Sequence, residues 1–279
     1  MALKTKLDDK VVDLAEAIAE SGLKQRSTTF GILGTTPLLF NRMSEKAKHQ
    51  LLLPSPKMNQ AEKDANIKHD PFGEFRGSVY FPHNGEGCIL PSNAFTQSCA
   101  SAALRIPGTT KTEIGQLVGC RSKNIVIYGL PRLHMAVVRQ AGITRAPDIR
   151  TRACIERWGC LLKLWWMEPR LSHKAVLTLL MTAGIIIGVG DGRKEKGTFD
   201  YGSFEIVNED DAELVELQKT CGKAEQQFAL AHPQCYDEES QELFDWYSDE
   251  IQRRGRDKGT APRPKRRGKN GVEETVGSA

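Results

Sequence analysis

The stretch GIIIGVGDGRKEKGTFDYGSFEIV, residues 184–207, gathers the residue types best suited to holding phosphate. Gly188, Gly190, Gly192, Gly197 and Gly202 let backbone approach a ligand closely, and Arg193, Lys194 and Lys196 stand beside them. A mononucleotide, a dinucleotide and a nucleic-acid strand all carry the anion such a loop would take. The competing use is structural, because a tight helix-to-strand turn also needs glycine.

Other cations fall into two groups. Arg42 follows the first apolar stretch, and Arg145, Arg150 and Arg152 in QAGITRAPDIRTR read as a second basic loop between strands. Lys57, Lys63, Lys68 and Arg76 stud the polar segment 54–77, which Pro and Gly punctuate into a long insertion. Within or beside it, Phe72, Phe75, Tyr80 and Phe81 are the rings placed to stack on unpaired bases, whereas Trp158, Trp165 and Trp166 read as core or subunit contact.

Catalysis has little to build on. The six histidines (His49, His69, His83, His134, His173 and His232) are scattered, and Asp191 has no carboxylate partner in sequence. GxSxG, HExxH and CxxC are all missing, so no catalytic residue, metal or cofactor is expected. Seven cysteines without a pairing pattern point to a reducing compartment, and with no apolar signal core or membrane span the expectation is a cytoplasmic protein.

The elements that must position these residues follow from periodicity. Residues 1–26 read as an N-terminal amphipathic helix, and 27–40 as a strand. Ser44 starts a short helix that Pro54 ends, 78–90 form a hairpin turning at Asn84–Gly85, and Ser92 caps a helix of small residues. Strands follow within 124–138 and 154–167. Ser172 then caps a helix running into the glycine stretch, and residues 202–207 close the core as a strand.

With the insertion 54–90 set aside, the order is strand, helix, strand, strand, helix, strand. This is an α+β, ferredoxin-like (RRM-like) βαββαβ plan with a long insertion after the first strand and a C-terminal helical extension. A dinucleotide or P-loop site needs strand, loop, then helix, so that a new helix N-terminus meets the phosphate. Here the helix precedes the loop, which argues against a mononucleotide cofactor.

A glycine-rich basic loop between the second helix and the last strand of such a domain resembles the hallmark of the RAMP superfamily, the repeat-associated proteins of CRISPR systems. The loop residues Gly188, Gly190, Arg193, Gly197 and Gly202 carry the resemblance across 27–207, and GTTPLLFNRMSEKA is similar to the start of phage-encoded proteins of the same layout. The resemblance implies a partner in single-stranded RNA or, second, DNA, and a homo-oligomer or filament polymerising along the strand. A metal-independent endoribonuclease using a histidine is one alternative. A structural or decoy protein binding a CRISPR or phage protein complex is another.

Charge is strongly segregated behind the net value of +4. Residues 1–207 carry +9, residues 208–252 carry −11 and residues 253–279 carry +6. The acidic part reads as two helices, 210–230 and 237–252, broken at His232–Pro233, with an aromatic stripe able to pack back on the basic core. The last part has almost nothing to bury and reads as a disordered basic tail.

Overall fold

The computed structural model describes residues 22–43, 45–53, 69–82, 85–139, 146–196 and 199–257. Lys57, Lys63, Lys68, Arg145 and Gly197 lie outside the described residues, as do Ser44, the expected N-terminal helix up to residue 21 and the tail from residue 258.

The chain is mixed α and β, and its sheets are antiparallel. Strand β1 (Lys24–Gly34) is polar and exposed at its start and buried from Phe30 to Leu33, so only its apolar half enters the core. It lies between β8 (Gly159–Glu168) and β9 (Phe204–Val207), and β8 pairs on its far side with β4 (Val118–Cys120). Two helices fill the long connections of this sheet, α3 (Asn93–Ala102) between β1 and β4, and α5 (His173–Thr182) between β8 and β9. Along β8 the alternate residues Leu162, Leu164 and Trp166 are buried in one core with Phe95, Cys99, Leu179 and Leu180 from the helices. Leu161, Lys163 and Trp165 face the other way, the expected period of two for a sheet packed on one face. Trp165 is covered by Gly119 of β4, where an added Cβ would meet its ring.

A second sheet has the order β2 (Leu38–Leu39), β7 (Pro147–Ile155), β6 (Pro131–Arg139), and β3 (Ile89–Pro91) pairs with β5 (Asn124–Val126). Several expectations change here. Arg150 and Arg152 sit on β7, not in a loop, because Ile149, Thr151 and Ala153 alternate with them and turn inward. The strands expected within 124–138 join other sheets, and the four-stranded sheet takes β4 in their place. Ahead of β4 runs α4 (Lys111–Leu117), which Thr110 caps by accepting from the Glu113 N–H at 3.2 Å.

The described part of the insertion, from residue 69 on, contains a helix that its composition does not suggest. After α1 (Glu45–Leu52), α2 (Pro71–Ser78) starts from the Asp70 cap with Pro71 in its first turn, and buries Phe75 completely. Of the expected hairpin, Ile89 donates its N–H to the Tyr80 carbonyl at 2.9 Å, and Asn84 lies outside the described residues.

The acidic segment forms three helices, α6 (Ala212–Thr220), α7 (Lys223–Ala231) and α8 (Glu238–Asp257), with an extra break at Cys221–Gly222. It is built into the fold. Buried Gln226 accepts from the Cys88 N–H at 2.7 Å and donates to the carbonyls of Ile127 and Gly129 at 2.8 and 2.9 Å. Leu133 on the outer edge of β6 donates to the Gln234 carbonyl and accepts from the Tyr236 N–H, both at 2.8 Å. Leu214 and Leu217 pack on Leu33.

Candidate nucleic-acid interface

The glycine stretch is held in place by its own backbone. Helix α5 begins at Ser172, whose hydroxyl accepts from the Ala175 N–H at 3.2 Å, and its last turn widens into a π-helical turn, Ala183–Ile187. Beyond it, the N–H groups of Gly188, Val189, Asp191 and Gly202 donate to the carbonyls of Ala183, Gly202, Leu39 and Pro37 at 2.8–2.9 Å. Two glycines of the stretch combine a positive φ with a backbone carbonyl in the space of a Cβ. Gly202 has φ +69°, and a Cβ there would strike the Val189 carbonyl; Gly190 has φ +79°, with a Cβ 2.8 Å from the Leu39 carbonyl oxygen. Four N–H groups of the expected cradle, those of Gly188, Val189, Asp191 and Gly202, are therefore used inside the fold.

Arg193 and Lys194 are engaged as well. Arg193 donates to the Gly190 carbonyl at 3.0 Å and pairs with Glu195 at 3.2 Å. Lys194 turns back to Asp200 at 3.2 Å. The side chain of Lys196 lies outside the described residues.

One cavity flanks this loop and a second adjoins it. The first, about 500 Å³, lies between the loop and α3 and is lined by Tyr80, Asn93, Gln97, Lys111, Gly190 and Arg193. Ser98 ties its two walls together by donating to the Gly188 carbonyl at 2.9 Å, and Lys111 donates to the Ser101 hydroxyl at 3.1 Å. The second, about 430 Å³, is lined by Arg42, His69, Glu74, Gly77, Arg150 and Arg152. Asn41 lines both. Arg152 of the second cavity pairs with Asp191 of the first at 2.8 Å, so the two adjoin at this ion pair and are together called the trench.

The second cavity exists because the β2–β7 ladder stops early. Phe40 donates to the Ala153 carbonyl at 2.9 Å, but the Ala153 N–H goes to the Ser78 hydroxyl of α2 at 2.8 Å, and α2 then stands beside the rest of β7. Along that strand, the Thr151 hydroxyl and the Arg152 Nε are buried and have no hydrogen-bond partner among the described residues. Burial pushes the Arg152 pKa down, opposed by the attraction of Asp191. Arg42 is paired with Glu45, whereas Arg150 is exposed and makes no ion pair among the described residues.

His69 holds a carboxylate on each ring nitrogen, Glu74 at 3.0 Å from Nδ1 and Asp148 at 3.2 Å from Nε2, and its carbonyl accepts from the Tyr247 hydroxyl of α8 at 2.8 Å. No cluster of three or more metal-ligating side chains occurs among the described residues.

The trench thus brings together Arg42, Arg150, Arg152, Gly190 and Arg193 from the residues expected by sequence. It does not take in Phe75, which is core and cannot stack on a base. Phe72 is half-buried beneath the Arg76 guanidinium, 4.9 Å from its ring centroid, so that pair is mutually engaged. Sequence reasoning missed Lys111, Asn41 and Gln97. A readable signal exists for the first, since Thr110 and Glu113 have capping-box spacing. No helix among the described residues is long and apolar enough to cross a membrane. The chain matches no protein-family model and no curated protein.

Proposed function

We propose that the protein binds single-stranded nucleic acid, RNA in preference to DNA, along this trench without cleaving it. The observation that carries the reading is the convergence of Arg42, Lys111, Arg150, Arg152 and Arg193 on two adjoining concave surfaces, in excess over the Glu74, Asp148, Asp191 and Glu195 carboxylates that line them too. Cations lining a concave surface can pair with phosphates, while Asn41, Asn93 and Gln97 offer both donors and acceptors to base edges. Tyr80, half-buried in the first cavity, supplies a ring for stacking. The preference for RNA follows the resemblance to the RAMP superfamily.

The sheet order β9–β1–β8–β4, with α3 and α5 in the two long connections, supports reading these six elements as a ferredoxin-like βαββαβ core. On that reading, the β2–β7–β6 and β3–β5 pairs are insertions that build the second wall. A nuclease that uses His69 is disfavoured, because both of its ring nitrogens are taken by carboxylates, leaving neither for a ribose hydroxyl. Fluorescence anisotropy with labelled single-stranded RNA, single-stranded DNA and duplex tests the proposal. Tightest binding to single-stranded RNA, with the RNA recovered intact, is expected. Duplex preference, or no binding to any of the three, would refute it.

A further inference from the structure

The first cavity of the trench offers more than a phosphate can use. Three buried core residues, Leu39, Leu90 and Val189, line it together with the half-buried Tyr80. Apolar surface of this kind does nothing for a phosphate, but it suits the face of a base. Its volume of about 500 Å³ lies in the range of a small-molecule site.

The polar groups around this surface differ in what already holds them. Asp191 pairs with Arg152, and Glu195 with Arg193. The Arg193 guanidinium is held through Nε by Glu195 and through Nη1 by the Gly190 carbonyl, and the Lys111 ammonium rests on the Ser101 hydroxyl. The carboxylates that would select cytosine and the cations that would select guanine are thus tied within the protein. The side-chain amides of Asn41, Asn93 and Gln97 make no hydrogen bond among the described residues. Asn93 and Gln97 are exposed and stand one turn apart on the same face of α3. An amide donates and accepts in one plane, which complements the N7 acceptor and N6 amino donor of adenine.

We propose that this cavity takes one unstacked base of the bound strand, that the base is adenine, and that Asn93 and Gln97 select it. The base lies against the apolar lining with its amino edge towards α3, while Lys111 and Arg193 meet the flanking phosphates. The inference rests on the reading that the trench holds a single strand, and adds a sequence preference to it.

Fluorescence anisotropy on the full chain tests it with a labelled oligouridine carrying one central adenine, the same strand with guanine or cytosine there, and plain oligouridine. The adenine strand is expected to bind tightest, by about 5-fold or more, the effect of one good amide–adenine pair. Asn93→Ala/Gln97→Ala changes two exposed helix positions, and should bring the adenine strand down to the affinity of plain oligouridine without weakening the latter. Circular dichroism reports whether the variant stays folded. Gln97→Glu, which exchanges the donor of the amide for a second acceptor, is a further variant expected to lose the preference. Equal affinity for all the strands, a tighter guanine or cytosine strand, or an adenine preference that survives in both variants would overturn the inference and leave single-strand binding standing. No binding to any strand would overturn the reading beneath it, and the inference with it.

Discussion

Arg152 on β7 and Asp191 in the glycine stretch are held 2.8 Å apart, and that contact fastens the loop to the second sheet at the middle of the trench. Arg152 is mostly buried, with a side chain only 12% exposed, so Asp191 is what compensates its charge. Glu195 holds Arg193 in a more open setting at 3.2 Å. The two acids therefore predict opposite readouts. Asp191→Asn should lower unfolding stability by roughly 1–3 kcal/mol in urea titrations, because it strands a buried guanidinium. Glu195→Gln should leave stability unchanged and tighten single-strand RNA binding by about 2- to 5-fold, since a competing carboxylate is worth under about 1 kcal/mol at a surface. Weaker binding by Glu195→Gln would mean that Glu195 positions Arg193 for its ligand.

Gly202 and Gly108 both have positive φ, +69° and +81°, but only Gly202 has a carbonyl in the space of a Cβ. Gly108→Ala should cost only the left-handed penalty, roughly 1–2 kcal/mol. Gly202→Ala should cost clearly more and loosen the loop. Equal denaturation midpoints for the two variants would show that the loop gives way around a methyl group.

Gln226 is the peg that fastens the acidic helices to the core. Gln226→Leu leaves the Cys88 N–H and the Ile127 and Gly129 carbonyls without their side-chain partner, at about 1–3 kcal/mol for each group left unsatisfied. Urea unfolding should show a loss of several kcal/mol. Truncation after Val207 should abolish the cooperative transition, because it also uncovers the outer edge of β6 and the Leu33 patch. A cooperatively folded 1–207 fragment would show that the acidic helices are an accessory.

His134 is buried against the rings of Tyr236 and Tyr201, 5.4 and 6.1 Å away, with Asp237 at 3.6 Å. Burial lowers its pKa below the usual histidine value, with Asp237 pulling the other way and the Arg152 charge adding to the depression. A depressed folded pKa means that the unfolded chain binds the proton more tightly. Stability is then full above the ordinary histidine pKa of about 6.5 and is lost as pH falls from there through the lower folded value. Comparison of melting temperatures should show His134→Gln with a shallower decline between neutral and mildly acidic pH than the unaltered protein. An identical decline would assign the acid sensitivity to other groups.

Local signals were the legible part of this fold. The Ser172 cap, the run of α5 and the placing of the glycine stretch before β9 all follow from neighbouring residues. Asp70–Pro71 is an equally local helix start, yet the polar composition around it hides that Phe75 reaches the core. The alternation of Arg150 and Arg152 with Ile149 and Thr151 marks a strand, against the Pro and Gly that suggest a loop. What no local pattern carries is the long-range pairing. The Ser78 hydroxyl must cap the Ala153 N–H, 75 positions away in the chain, before the second cavity exists, and Lys111 comes to line the first cavity only through the packing of α3 and α4. Of the N–H groups expected to be free in the loop, those of Asp191 and Gly202 are taken by the carbonyls of Leu39 and Pro37, partners equally remote in sequence.

The salt dependence of single-strand RNA binding tests the trench most directly. Lys111 and Arg150 are exposed and make no ion pair among the described residues, so Lys111→Ala/Arg150→Ala removes two cations with little disturbance to the fold. Anisotropy titrations of the full chain over a range of salt concentrations give the slope of log K against log[salt]. Each lost phosphate contact removes about 0.7 from the slope for a single strand, so the double variant should bind more weakly with a slope shallower by about 1.4. The same affinity and slope in both proteins would place the nucleic acid elsewhere and contradict the proposed interface.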